Sequence, residues 1–213
     1  MTTLNHPAHA MDRMYRYTRH VYDLSRRYYL LGRDTLLKQM DVRPDDRVLE
    51  VGCGTARNLI KLAHLTDRQP LMGLDAAQVM IDTAQRQVDR AGLGSRVALR
   101  QGLAEQLDPA DFGVEQFDVI FFSYALSMIP TWPDSLDAAM RCLPSGRTLY
   151  VVDFWDQADL PRWFAAGLKR WLALFHVHHR PELLDAMRRR TDSTLTLQPI
   201  SGRYAYLAAL TKR

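Results

Sequence analysis

The 213-residue chain has only two cysteines, Cys53 and Cys142, far apart in sequence. They form neither a disulfide framework nor a metal-ligand pattern, and the expected setting is a reducing cytosol. No apolar run reaches the roughly 18 residues a membrane-spanning helix needs. The N-terminal stretch MTTLNHPAHAMDRMYRY contains no apolar signal core. Internal repeats and low-complexity segments are absent too. His176, His178 and His179 lie close together, but no carboxylate or thiol is spaced to complete a site with them. No metal is therefore expected. Basic tracts are missing apart from Arg188–Arg190, which reads as a solvated helix end. No nucleic-acid partner is expected.

What is present is apolar content of 47%, enough for a sizeable core in one domain. The net charge of +4 is unevenly placed. Residues 1–43 carry eight Lys/Arg against four Asp/Glu, residues 44–159 ten against seventeen, and residues 160–213 ten against three. An acidic middle flanked by basic ends suggests two kinds of surface. The basic ends suit an anionic membrane, a nucleic acid or plain solvent.

Strand and helix patterns alternate through the middle of the chain. Strands are expected at Val48–Val51, Leu71–Asp75, Val97–Arg100, Phe117–Ser123 and Arg147–Asp153. Helices are expected at Ala56–Leu65, Ala76–Ala91 and Ser135–Cys142. FDVIFFS is a continuous apolar run, as a parallel strand covered on both faces requires. Two late strands, Leu195–Pro199 and Tyr204–Leu210, read as an antiparallel hairpin. Residues 11–40 and 161–190 read as helical. The expected fold is α/β: a doubly wound, mostly parallel seven-stranded sheet closed by that hairpin. It forms a single domain over residues 1–213. Residues 1–43 make a helical cap, 44–155 the core, and 156–213 an amphipathic segment with the closing strands.

In such a sheet, ligands bind outside the carboxyl ends of the strands at the switch point. VLEVGCGTA places a turn there. Gly52 and Gly54 allow backbone to approach a ligand where a Cβ would clash. Asp75 ends the next strand, 21 residues after Gly54, where a carboxylate can accept both hydroxyls of a ribose. A dehydrogenase turn wants a third small residue and a pyrophosphate over a helix N-terminus. Here Ala56 takes the third glycine position and Glu50 precedes the turn. A carboxylate repels pyrophosphate and attracts a cation. The turn suits a nucleoside with a positively charged tail.

These residues resemble the first motif of class I S-adenosylmethionine-dependent methyltransferases. LDAAQVMIDTA is similar to the second motif, with Asp75 and Ala76 at the ribose and Met80 against the adenine. QGLAEQL resembles the third, which puts Leu103 and Ala104 at the adenine edge; Leu103 stands where an acid is common. FDVIFFSYALSMI resembles the fourth-strand motif, with Ser123 under the methionine part. The ordered set covers about residues 45–155. The resemblance implies S-adenosylmethionine as cofactor, S-adenosylhomocysteine as product, and cofactor contacts at Glu50, Gly52, Gly54, Asp75, Ala76, Met80, Leu103, Ala104 and Ser123.

The acceptor has to be read from the flanks. In a helix, Tyr15, Tyr22 and Tyr29 recur every seven residues, as do Arg26 and Arg33. Aromatic faces hold methylammonium groups, and Arg clamps carboxylate or phosphate. Equally, this Tyr stripe can pack on the core with Arg in water. PRWFAAGLKRWLALFHVHHR fits an interfacial helix with Trp and Lys/Arg, or the core helix of a cap. Through YDLSRRYYLLGRD, VLEVGCGTARNL, SYALSMIP and LALFHV, the chain resembles the N-methyltransferases of bacterial betaine-lipid synthesis. That resemblance implies trimethylation of diacylglyceryl homoserine. Tyr22, Tyr28 and Tyr124 would orient the amine, and Arg33 would clamp the carboxylate. It further implies a cytoplasmic enzyme peripherally bound to an anionic membrane, with the enzyme that makes diacylglyceryl homoserine as a candidate partner. Rival acceptors are phosphatidylethanolamine and soluble amines or quinone precursors. A non-catalytic binding protein of the same fold is a further rival.

Overall fold

The computed structural model describes residues 30–66, 68–159, 167 and 180–213. Seven strands among them form one sheet in the order β3-β2-β1-β4-β5-β7-β6. These are β1 (Val48–Val51), β2 (Leu71–Asp75), β3 (Val97–Gln101), β4 (Val119–Ser123), β5 (Thr148–Phe154), β6 (Ser193–Ile200) and β7 (Ala205–Lys212). The first five run parallel. β7 pairs antiparallel with β5 and with β6, closing the sheet as the sequence predicts.

Helices cover both faces. α1 (Arg33–Gln39), α2 (Arg57–Leu65) and α3 (Gln78–Arg90) lie on one. Their Leu36, Leu59, Leu62, Ile81 and Val88 pack on Val48, Phe121 and Val152. α4 (Trp132–Arg141) and α5 (Pro181–Arg189) lie on the other, where Leu136, Met140, Leu183 and Met187 meet Leu49, Ile120, Val151 and Tyr206. Because both faces are covered, β1 and the body of β4 are buried throughout. β6 alternates instead, as an edge strand with one wet face does.

Most element bounds differ from the sequence reading by one to three residues, and two of these shifts have a visible setting. α4 begins at Trp132 rather than Ser135, with Pro133 in its first turn, where a missing N–H is harmless. β4 begins at Val119 rather than Phe117, and Asp118 just before it takes part in an ion-pair network. That network ties the amino ends of three strands. Arg47 meets Asp118 at 2.7 Å, and Arg147 bridges Asp46 at 2.9 Å and Asp118 at 3.2 Å. The opposite, carboxyl edge is thereby left as the place for chemistry. Chain order reverses there between β1 and β4, which opens the crevice.

Candidate active site

The first wall of the crevice is the turn after β1. Gly52 and Cys53 both donate to the Leu74 carbonyl, at 2.8 and 3.0 Å, which lashes the turn to the end of β2. Gly52, Gly54 and Ala56 all have left-handed backbone, with φ of 73°, 54° and 61°. The two glycines differ in their surroundings. A Cβ on Gly52 would lie 2.5 Å from the Ala125 Cβ, whereas one on Gly54 would meet nothing within 4 Å. The expectation that both glycines let backbone approach a ligand is joined at Gly52 by a packing requirement within the fold. There the crowding neighbour is the loop after β4. Ala56 accepts a left-handed conformation that glycine would adopt more easily, and its buried methyl packs in the core.

Glu50, next to last in β1, is almost completely buried. One carboxyl oxygen accepts from Asn58 Nδ2 at 2.7 Å, from the first turn of α2. The other has no hydrogen-bond partner among the described residues. Burial pushes the Glu50 pKa up to about 8, opposed by the Asn58 hydrogen bond and by the charge of Arg33. An orphaned carboxyl oxygen in a dry site is the feature a cationic ligand would satisfy.

Asp75 ends β2. Its two oxygens accept from Gly54 N at 2.8 Å and Ala77 N at 3.0 Å. The carboxylate thus cross-braces the first two turns and stays half-buried at the crevice. Ala76 lies beside it, its carbonyl accepting from Gln101 Nε2 at 3.0 Å. Met80 is buried on the first turns of α3, outside both main apolar clusters. Leu103 is half-buried, and Ala104 is buried against Leu107 and the α4 face. Ser123 closes β4, and its hydroxyl has no partner among the described residues. Eight of the nine residues expected at the cofactor therefore fall at the carboxyl ends of β1 to β4 or in the segments that directly follow them, and Met80 lies in the first turn of α3.

The acceptor residues are spread differently. Tyr22, Tyr28, His176, His178, His179 and the Trp-rich 161–180 stretch, Gly167 and Arg180 excepted, fall outside the described residues. Tyr124 follows β4 with φ of 56°, a conformation a tyrosine rarely adopts. Its ring is buried against Phe154, at 4.6 Å between centroids. Its hydroxyl donates to the Leu31 carbonyl at 2.5 Å. Tyr124 thus ties Leu31, just before α1, to the sheet, and burial pushes its phenol well above the ordinary range. Arg33 opens α1 just after left-handed Gly32, and its positive charge acts on both Glu50 and Tyr124. It is half-buried.

Sequence reading missed four residues here: Asn58, Ala125, Ser127 and Asp153. Asp153 carried a usable signal, an acid near the end of an otherwise apolar strand, as Glu50 and Asp75 are. Asn58 sits on the apolar face of α2 beside Leu59 and Leu62, a polar intrusion that could have been noticed. Nothing local marks Ala125.

Residues 48–146 match a family model described as a methyltransferase domain. A demethylmenaquinone methyltransferase of Geobacillus kaustophilus is 31% identical over 128 residues, covering 59% of this chain and 53% of the relative. A phosphatidylethanolamine N-methyltransferase of Cereibacter sphaeroides is 33% identical over 129 residues, covering 61% and 59%. The chain spans little more than half the length of these curated relatives. A solved S-adenosylmethionine-dependent methyltransferase from Aquifex aeolicus shares the fold with a TM-score of 0.62 at 17% identity, covering 88% of this chain and 93% of that one. SpnF, a cyclase, does so with a TM-score of 0.66 at 17% identity, covering 85% and 78%. The same sheet thus serves a protein named for different chemistry, and the fold alone does not give the reaction. Over residues 48–146 the chain is thus similar to a methyltransferase domain, and both sequence relatives are named as methyltransferases.

Proposed function

We propose that the chain is an S-adenosylmethionine-dependent N-methyltransferase that trimethylates the amine of diacylglyceryl homoserine at the surface of an anionic membrane. The observation that carries the cofactor part is Glu50. It is a buried acid with one unpartnered oxygen, at the turn where a pyrophosphate-binding protein would need donors. The unpartnered Ser123 hydroxyl adds a second polar group at the same edge. Asp75 supplies acceptors for the ribose, and Met80 with Ala104 supplies apolar surface for the base. When bound, the sulfonium supplies an already activated methyl group. The chain's task is then mainly positioning, which contributes several kcal/mol.

The acceptor part rests on three supports. The first is the resemblance carried by YDLSRRYYLLGRD. The second is Arg33, whose positive charge reaches Glu50 and Tyr124 and whose guanidinium is of the type that clamps a headgroup carboxylate. The third is the basic character of residues 1–43 and 160–213, which suits anionic lipid. The amine must arrive neutral. Its lone pair forms the N–C bond as the C–S bond breaks, and any N–H proton then passes to solvent. Tyr22 and Tyr28 are proposed to cradle the ammonium, whose bulk grows with each transfer. Tyr124 is proposed to act through the wall of the pocket, since its proton is already donated to Leu31.

A second reading is methylation of phosphatidylethanolamine, favoured by the named activity of the Cereibacter relative. In that case Arg33 would face phosphate. Labelled S-adenosylmethionine, given with vesicles of diacylglyceryl homoserine or of phosphatidylethanolamine, separates the two. Label in mono-, di- and trimethylated homoserine lipid, lost in Asp75→Ala, supports the first reading. Label on phosphatidylethanolamine alone supports the second. Label on neither, with cofactor binding intact, overturns both and points to a soluble acceptor.

A further inference from the structure

On the face of the sheet opposite Glu50, a second acid is buried at the carboxyl edge. Asp153, on β5, is about 1% exposed. Ser127 donates to it twice, from its backbone N–H at 2.9 Å and from its hydroxyl at 2.7 Å. The Phe154 N–H adds a third bond at 2.8 Å. Ser127 lies in the short helical turn Leu126–Met128, which continues the β4 loop. Tyr206 sits opposite Asp153 in the β5–β7 ladder, and its buried hydroxyl has no hydrogen-bond partner among the described residues. The charge of Arg180 also reaches Asp153. Burial pushes the Asp153 pKa up to about 6 despite the three hydrogen bonds. Nothing in the methyl-transfer scheme uses this acid.

Its consequence lies along the loop it holds. Ser123, Ala125 and Ser127 alternate along one short stretch of chain. Ser123, the last residue of β4, has a buried hydroxyl with no partner among the described residues. Ala125 abuts Gly52 so closely that no Cβ fits between them. Ser127 is clasped by Asp153. Tyr124 is held separately, its N–H donating to the Val152 carbonyl at 2.8 Å. The clasp at one end therefore sets how Ala125 presses on the cofactor turn at the other.

We propose that Asp153 is a positioning residue for cofactor binding, which acts through Ser127 to hold the loop after β4 against the Gly52 turn. This rests on the S-adenosylmethionine reading of the crevice and is independent of which acceptor is methylated. The conformations of Gly52 and Gly54 are then set from two sides, by Leu74 and Asp75 across β2 and by Ala125 from β4.

The test is the dissociation constant of S-adenosylmethionine, measured by calorimetry on the full chain. Wild type is compared with Asp153→Asn, Ser127→Ala, Ser127→Thr and the Asp153→Asn/Ser127→Ala double variant, with melting temperatures taken alongside. Ser127→Ala and Asp153→Asn are expected to weaken binding about tenfold each. The double variant is expected to be no weaker than the worse single one, because both break one link. Ser127→Thr keeps both donors and is expected to bind within about twofold of wild type. A clasp that only supports the fold would lower the melting temperature in Ser127→Ala and leave the dissociation constant unchanged, which would overturn the proposal. If Asp153→Asn does not fold, the Ser127→Ala and Ser127→Thr pair decides alone. Absence of binding by folded wild type would overturn the cofactor reading, and the clasp with it.

Discussion

Asn58 donates to Glu50 at 2.7 Å, the single hydrogen bond among the described residues to a carboxyl that is otherwise sealed from water. An acid so placed is protonated in the folded chain at pH values where the unfolded chain has already ionised it. Its pKa rises from 4.5 to about 8 on folding. The folded state therefore binds the extra proton, and the ligand-free protein loses stability as pH climbs from about 4.5 to about 8. One such group contributes a slope of up to about 1.4 kcal/mol per pH unit. Asp153 adds to this between 3.8 and about 6. Denaturant melts across this range should show the decline, and Glu50→Gln should flatten it and overtake wild type at the alkaline end. An equal slope in the two proteins would mean that Glu50 is ionised throughout.

Gly52 and Gly54 share a left-handed backbone, but only Gly52 faces a neighbour at 2.5 Å. Gly54→Ala should cost about 1 kcal/mol, for conformation alone. Gly52→Ala should cost about 3 kcal/mol, with overpacking added to conformation. Adding Ala125→Gly should recover the overpacking share of the Gly52→Ala loss and none of the conformational share. Thermal or urea melts of the four proteins measure this directly.

The amino-end network should behave unlike a surface pair. Arg147 bridges Asp46 and Asp118, both largely buried, while the Arg188–Asp185 pair is about half exposed on each side. Arg147→Ala leaves buried carboxylates short of charge and should cost about 3 kcal/mol. Arg188→Ala should shift stability by less than about 0.5 kcal/mol. Burial works against ionisation of Asp118, but the hydrogen bonds and charge of Arg47 hold its pKa below the usual carboxylate range. That contribution is present above pH 3.8 and fades as pH falls through the lowered value.

Tyr124→Phe removes the proton given to Leu31 and keeps the ring on Phe154. The expected loss is about 1 kcal/mol in stability, with S-adenosylmethionine affinity within about threefold of wild type. A large loss of methyl transfer at full cofactor occupancy would instead place the phenol at the acceptor.

Much of this was legible before the coordinates. Val48–Val51 and Leu71–Asp75 are apolar runs ended by acids or glycine, and their bounds coincide in sequence and structure. Long-range partners were not legible. Ala125 is an unremarkable alanine whose importance comes from folding onto Gly52, 73 residues earlier in the chain. Asp153 and Ser127 are joined across two strands. The short helical turns at Ala104–Gln106, Pro109–Phe112 and Leu126–Met128 carry too few residues for any periodicity to show. Trp132 and Pro133 did carry a start signal for α4, in a proline suited to the first turn, which the expected Ser135 start overlooked.

The central claim is that the turn beside Glu50 accepts a cationic nucleoside and rejects a pyrophosphate. The most direct test is calorimetric titration of the wild-type chain and of Glu50→Gln, at pH 7.5, with S-adenosylmethionine and separately with NAD. Saturable binding of S-adenosylmethionine, weakened tenfold or more in Glu50→Gln, with no binding of NAD, is the predicted result. Binding of NAD, or unchanged S-adenosylmethionine affinity without the carboxylate, would contradict it.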